Sequence, residues 1–378
     1  ARGLEGEVER YRNYLVESDA DIVFFYAAQQ WTFDAAWPSL QSMRAHKVLV
    51  PCGYSGLYDP LYRRYFEDLK PVLTAMDAVV YHARSYRDYE FGEALGLKNA
   101  VVIPNGADLA EFNVELDRGF RRELGAADSA FVILTVGTFT GLKGHLELAQ
   151  AFLEAEFGDR DALLILNGNW PERSGMRPPF ISALTSLVSE YGLIYTIRHL
   201  TILALNSLGI SVGKTMSIKR LAAGINKDRS NRKRAIIVNL PRTKLVQAYL
   251  QSDLFVFASN IEYSPLVLFE ACAAGLPFLT VPVGNTPEIV AWTGGGELCE
   301  APVDERGYTR VQPHVLGEKI SAMSRDSERL KTLGRSGRDK AIKRFNWDTL
   351  AGEYESLFQQ LCARLPPRED AVVREQRG

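Results

Sequence analysis

Paired cysteines, long apolar runs and an excess charge of either sign are all scarce here, and each scarcity removes a class of protein. The four cysteines, Cys52, Cys272, Cys299 and Cys362, are scattered over 378 residues with no CxxC pair. Such spacing fits free thiols in a reducing compartment better than a zinc site or a disulfide frame. The nearest approach to a membrane span, residues 193–212, carries Arg198, His199, Asn206 and Ser207. A span must stay apolar over about 20 residues, so none is expected. The chain opens ARGLEGEVERYR, without Met and without the basic-then-apolar pattern of a signal peptide. Lys and Arg number 44 against 46 Asp and Glu, so no nucleic-acid partner is expected, phosphate affinity being supplied by clustered positive charge. Hydrophobic residues at 46% and charged residues at 24% are ordinary globular values. The expectation is a cytoplasmic protein, long enough at roughly 100–200 residues per domain for two or three domains.

Short β-branched and aromatic runs alternate with helix-period segments along most of the chain. IVFFY, KVLVP, AVVYH, AVVIP, FVILTV, ALLILN, AIIVN, LFVFAS and PFLTV read as strands. They are continuously apolar, as strands are when helices cover both faces of a sheet. Amphipathic stretches at 146–157, 241–251 and 266–274 lie between them. This alternation predicts an α/β protein with parallel sheets.

Two sets of such units are expected. The first spans 1–112; only four strands fit before Asn105, so this Rossmann-like, acceptor-side domain is expected to be incomplete and the natural N-terminus to be missing. The second spans 113–344, with an insert near 192–234 whose latter part holds Lys214, Lys219, Arg220, Lys227, Arg229, Arg232, Lys233 and Arg234 against the single acid Asp228. A helix over 345–364 and a charged, disordered tail over 365–378 follow. The basic run 214–234 reads as a solvated surface insert or as a contact with an anionic acceptor or the inner membrane face. GISVGKT at 209–215 resembles a phosphate loop but is one residue short and lacks the strand and helix around it.

The stretch from 252 to 290, SDLFVFASNIEYSPLVLFEACAAGLPFLTVPVGNTPEIV, carries the most chemistry. It reads as strand, loop, helix, turn and strand. Glu262 falls just beyond a strand's carboxyl end, where open α/β sheets bind ligands. Pro265 suits a first helical turn, which would aim the amides of Leu266 and Val267 into the same crevice. Glu270 sits in an apolar helical run, where a carboxylate needs donors. Sugar hydroxyls would serve; a solvated Glu262 and a Glu270 paired to a core Arg or Lys is the rival reading.

Glu262 and Glu270 separated by seven residues, with ACAAGLP and GNTPEI behind them, resemble the retaining GT-B glycosyltransferases of family four. IPNGAD at 103–108, VGTFTGLKGHLELAQAF at 136–152 and FNWDTLAGEYESLF near the end fall in the same order. The resemblance implies two Rossmann-like doubly wound domains facing a central cleft, with the last helix crossing back to the first. It implies a nucleoside diphosphate–sugar donor whose ribose is bound by Glu270 and whose transferred sugar touches Glu262. Lys143 and the amides of Leu266 and Val267 would hold the diphosphate. Gly137 would let the backbone approach it, with Thr138 beside it, and Asn167, Val238 and Leu240 would lie beside the base. No metal is expected, since Lys143 and the amides can neutralise the leaving group and no DxD-type carboxylate pair suited to Mg²⁺ is seen.

The resemblance thus implies a metal-independent hexosyltransferase, acting on a glycan or lipid-linked hydroxyl in cell-surface polysaccharide biosynthesis. Two positions depart from the family pattern. Thr138 stands where an Arg is common, and Tyr263 where a Gly is usual, which would reshape the sugar pocket. A nucleotide-sugar-binding subunit without turnover is the alternative these departures suggest. Sugar–nucleotide epimerisation is weaker still, because no His or carboxylate pair is placed for acid/base work at the sugar. His145 reads as a helix-start residue, and His82 as a structural one.

Overall fold

The computed structural model describes residues 6–168, 214–228, 232–304 and 307–363. The apolar stretch 193–212, the GISVGKT segment up to 213, Trp170, the first part of the expected insert and the tail from 364 lie outside the described residues. The chain divides into two compact units. One comprises Ala1–Ala107, Tyr263–Leu266 and Ile342–Gly378, the other Asp108–Glu262 and Val267–Ala341.

The first unit is built on four parallel strands in the order β1-β2-β3-β4: β1 (Ile22–Tyr26), β2 (His46–Val50), β3 (Ala78–Tyr81) and β4 (Ala100–Val102). Helices α1 (Val8–Glu17), α2 (Trp31–Ala36), α3 (Arg63–Thr74) and α4 (Arg87–Ala94) accompany them. Alternate residues of a strand face opposite sides of a sheet. Leu49, Val79 and Tyr81 accordingly pack with Phe33, Phe66, Leu69 and Leu73 in one cluster. Val48, Val50, Ala78 and Val80 pack in another with Leu350 and Leu361. Both faces of β2 and β3 are buried, which is why those strands read as unbroken apolar runs. The second cluster is closed by the last helix of the described residues (Trp347–Cys362). Its start is tied to the IPNGAD loop: the Ala107 amide donates to the Phe345 carbonyl at 3.0 Å. The Asn346 side chain caps the helix by accepting from the Thr349 amide. Gly106 is needed there, since a Cβ would meet the Phe345 carbonyl at 2.8 Å.

The second unit holds a six-stranded parallel sheet in the order β10-β9-β8-β5-β6-β7. Its strands are β5 (Phe131–Val136), β6 (Ala162–Asn167), β7 (Lys233–Val238), β8 (Leu254–Phe257), β9 (Phe278–Thr280) and β10 (Gly296–Leu298). All six residues of β5 and of β6 are buried. The helices are α5 (Phe120–Glu123), α6 (His145–Glu154), α7 (Lys214–Lys227), α8 (Arg242–Gln251), α9 (Leu266–Ala274), α10 (Thr286–Thr293), α11 (Pro313–Arg325) and α12 (Ser327–Lys343); the terminal helix Trp347–Cys362 of the first unit is α13. Strand order reverses direction at β5, which has β6 on one side and β8 on the other. Such a switch point opens a crevice beyond the carboxyl ends of the two diverging strands.

Two features differ from the sequence expectations. The basic run 214–234 is no surface insert: α7 buries Ile218, Ala222 and Ile225, and Lys233 and Arg234 open the edge strand β7. Its cations occupy the outer face of an amphipathic crossover helix, and the charge count masked the apolar stripe. The second difference is β10, absent from the expected strands. It is three residues long and contains Glu297, so it carries no apolar run; Lys319 at 2.9 Å and Arg329 at 2.5 Å pair that carboxylate.

Candidate nucleotide-sugar site

Register brings the relevant loops of the second unit together. Val136 is opposite Asn167, and Asn167 opposite Val238, so β5, β6 and β7 end at one level. The loop after β5 runs 137–144 and that after β8 starts at Ala258, the two sides of the switch point. They are stitched by the Asn260 amide donating to the Leu142 carbonyl at 2.8 Å. Gly144 joins the first loop to α6 with φ of +70°, and a Cβ there would collide with the Ala258 carbonyl. Only glycine meets both demands.

Across this junction Lys143 Nζ meets Glu262 Oε1 at 2.5 Å. The two side chains are 24% and 22% exposed, so the pair is partly withdrawn from water yet reachable. Gly137 lies against the Lys143 stem, its missing Cβ 3.3 Å from the Lys143 Cβ. Thr138 is half-buried in the same loop, and its carbonyl accepts from the Thr140 amide at 2.8 Å. His145, at the first position of α6, is buried and packs tilted against Phe139 at 4.5 Å. Burial holds its imidazole pKa down at about 4, with the Glu147 carboxylate opposing and the Lys143 charge assisting.

At the ends of β6 and β7, the Gly137 amide donates to the Asn167 carbonyl at 3.0 Å. The Leu240 amide donates to Asn167 Oδ1 at 2.9 Å, and the Gly168 amide to the Val238 carbonyl. Asn167, Val238 and Leu240 therefore form one hydrogen-bonded rim. Leu266 opens α9 directly after Pro265 and is 46% exposed, while Val267 is half-buried.

Glu270, one turn into α9, takes a partner at each oxygen. Arg242 Nη2 lies 2.8 Å from Oε1, and the Tyr249 hydroxyl donates to Oε2 at 2.9 Å. Pairing to an Arg is the rival reading of this residue, and the structure shows it; at 18% exposure the carboxylate also keeps a face toward solvent. Arg242, Tyr249 and Glu111 were not singled out in the sequence. Arg242 had a faint signal, standing at a helix start just beyond Val238 and Leu240. Glu111 had none, being 131 residues from the Arg it pairs with.

In the first unit, the Tyr263 ring packs tilted against Tyr86 at 4.7 Å, and its hydroxyl accepts from the His82 amide at 3.0 Å. The missing Cβ of Gly53 lies 3.1 Å from the Tyr263 ring. His82 is buried, with Nδ1 donating to the Ile103 carbonyl at 2.9 Å. Nearby Asp88 is fully buried, accepts from the Gly53 amide, and is pushed by burial to a pKa of about 6. Among the described residues no group of three His, Cys, Asp or Glu side chains is arranged to hold a metal ion. No helix among them is long and apolar enough to cross a membrane.

Two Rossmann-like parallel α/β units, one with a cation and two carboxylates around its switch point, define the GT-B fold class. Residues 178–339 match the family model for glycosyl transferases group 1. D-inositol 3-phosphate glycosyltransferase of Segniliparus rotundus is 27% identical over 277 residues, 73% of this chain and 50% of that one. N-acetyl-alpha-D-glucosaminyl L-malate synthase of Bacillus anthracis is 22% identical, over 63% of this chain and 48% of its own. The chain thus spans about half the length of the curated relatives it matches. A glycosyltransferase from Rickettsia africae superposes with a TM-score of 0.67 at 15% identity, over 97% of this chain and 84% of its own. Anabaena Alr3699/HepE, solved in complex with UDP, gives 0.62 at 17%, over 93% and 82%. Residues 178–339 thus resemble the group 1 glycosyltransferases, and the chain shares the GT-B fold of the solved structures it superposes on.

Proposed function

We propose that this chain is the catalytic part of a glycosyltransferase that moves a sugar from a nucleoside diphosphate to a hydroxyl with retained configuration and without a metal. The observation that carries this reading is the Lys143–Glu262 pair bridging the two switch-point loops, with Glu270 further along the same segment. UDP is the first donor diphosphate to test, because Anabaena Alr3699/HepE is described with UDP and with UDP-glucose. A hydroxyl acceptor suits the S. rotundus relative, named for inositol 3-phosphate.

In this mechanism the diphosphate displaces Glu262 from Lys143, and the ammonium neutralises the charge that grows as the sugar–phosphate bond breaks. The amides at the start of α9 assist, since a helix N-terminus favours anions. Glu262, released, accepts from hydroxyls of the transferred sugar. The acceptor oxygen bonds to the anomeric carbon on the face the phosphate leaves, and its proton passes to the departing phosphate oxygen. No protein base is required. Tyr263 stands in the loop beside Glu262 and would shape sugar choice, and the exposed Lys219, Arg220 and Lys227 of α7 would serve contact with an anionic acceptor or a membrane face. Cell-surface glycan synthesis in the cytoplasm is the setting this chemistry suits.

Sugar release from UDP-glucose tests the reading. Wild-type turnover that survives EDTA, and is abolished in Lys143→Ala and Glu270→Ala with the fold intact, supports it; full turnover by both variants refutes the site. UDP binding without turnover would instead favour a donor-binding subunit, the reading that Thr138, in place of a second cation, supports.

A further inference from the structure

Glu270 owes its orientation to residues outside its own helix. A carboxylate offers about four acceptor directions, two on each oxygen. Arg242 takes one on Oε1 and the Tyr249 hydroxyl one on Oε2, leaving one on each. Two parallel acceptors are what a vicinal diol, with its two adjacent donors, requires.

Both partners are themselves fixed. Glu111 grips Arg242 through two bonds, Nε to Oε1 at 3.1 Å and Nη2 to Oε2 at 2.5 Å. This forked geometry removes the guanidinium's freedom to swing. Phe112, next in sequence to Glu111, lies under the guanidinium at 5.7 Å and meets the Tyr249 ring edge-on at 5.8 Å. Tyr249 is fully buried and stacks on Phe255 of β8 at 5.4 Å. The Glu111 pairing and the Glu270 charge raise the Arg242 pKa, so its charge is present at any working pH.

We propose that Glu111, Arg242 and Tyr249 are positioning residues that set the Glu270 carboxylate to accept from both hydroxyls of a ribose, so that the protein selects ribonucleoside over 2′-deoxyribonucleoside diphosphates. The proposal rests on the donor-site reading above. It differs from a structural role, because a trio that merely braced the fold would affect all nucleotides alike.

The test is calorimetric titration of the chain with UDP and with 2′-deoxy-UDP. A hydrogen bond to a charged group corresponds to a wild-type preference for UDP of about tenfold or more. Glu270→Ala abolishes that preference. Glu111→Gln, Arg242→Gln and Tyr249→Phe each cut it to about threefold or less while 2′-deoxy-UDP binding changes by under about twofold, and Arg242→Lys retains part of it. A full preference in Glu111→Gln and Arg242→Gln, or equal weakening of both nucleotides, overturns the proposal while leaving the donor site standing. A wild type without preference, or a Glu270→Ala that keeps it, refutes the donor-site reading itself and the proposal with it.

Discussion

Replacing Glu262 by Gln should make the protein bind UDP more tightly while it loses sugar transfer. In this structure Glu262 pairs with Lys143 at 2.5 Å, and on the proposed donor-site reading that cation is the one the diphosphate recruits. On that reading every binding event breaks this ion pair. Fully exposed pairs are worth about 0–1 kcal/mol. This one, with both side chains about three-quarters withdrawn from water, should contribute about 1–2 kcal/mol after desolvation is discounted. Removing the competing charge releases that energy to the ligand, a gain of about five- to thirtyfold in UDP affinity. UDP carries no transferred sugar, so it loses no Glu262 contact in exchange; UDP-glucose does, and its turnover should collapse. Titration calorimetry in low salt gives the first number and a sugar-release assay the second. Lys143→Met should weaken UDP binding, and Glu262→Gln in that background should then change nothing further. UDP affinity that is unchanged or lower in Glu262→Gln alone would show that Lys143 does not serve the diphosphate.

Two further predictions concern the frame of the site. Gly144→Ala combines a left-handed backbone, costing about 1–2 kcal/mol, with collision against the Ala258 carbonyl, about 1–3 kcal/mol more, so chemical denaturation should show the second unit destabilised and UDP binding weakened. His145→Phe should flatten the acid limb of stability. The folded imidazole titrates near 4 rather than 6.5, so its contribution is complete above pH 6.5 and is lost as pH falls toward 4, about 3 kcal/mol in all. A wild-type minus variant stability difference that is flat from pH 7 to 4 would contradict that assignment.

The fold was readable because strands buried on both faces have no polar alternation to obscure them: FVILTV and ALLILN become β5 and β6 at the residues where the apolar runs begin and end. β10 was invisible for the opposite reason, having three residues with a paired Glu in the middle. The basic run misled because cations on one face of α7 outnumber the few buried residues, Ile218, Ala222 and Ile225, that define its role. Within the candidate site, residues near one another in sequence could be grouped, as Glu262 and Glu270 were. What surrounds Glu270 could not, since Glu111 and Arg242 meet only once the sheet is assembled. The strand-end rim joining Asn167 to Leu240 depends likewise on register, which no local pattern encodes.

The central claim is that the carboxyl-end crevice of the second unit binds a nucleoside diphosphate through Glu270 and Lys143. Thermal unfolding with and without UDP, on the wild type and on Glu270→Ala, tests it most directly. At a hundredfold excess over its dissociation constant, a ligand specific for the folded state adds about 2.7 kcal/mol. The account predicts a raised melting temperature for the wild type and little or no shift for Glu270→Ala. Equal shifts in both proteins, or none in either across UDP, GDP, ADP, TDP and CDP, would contradict it.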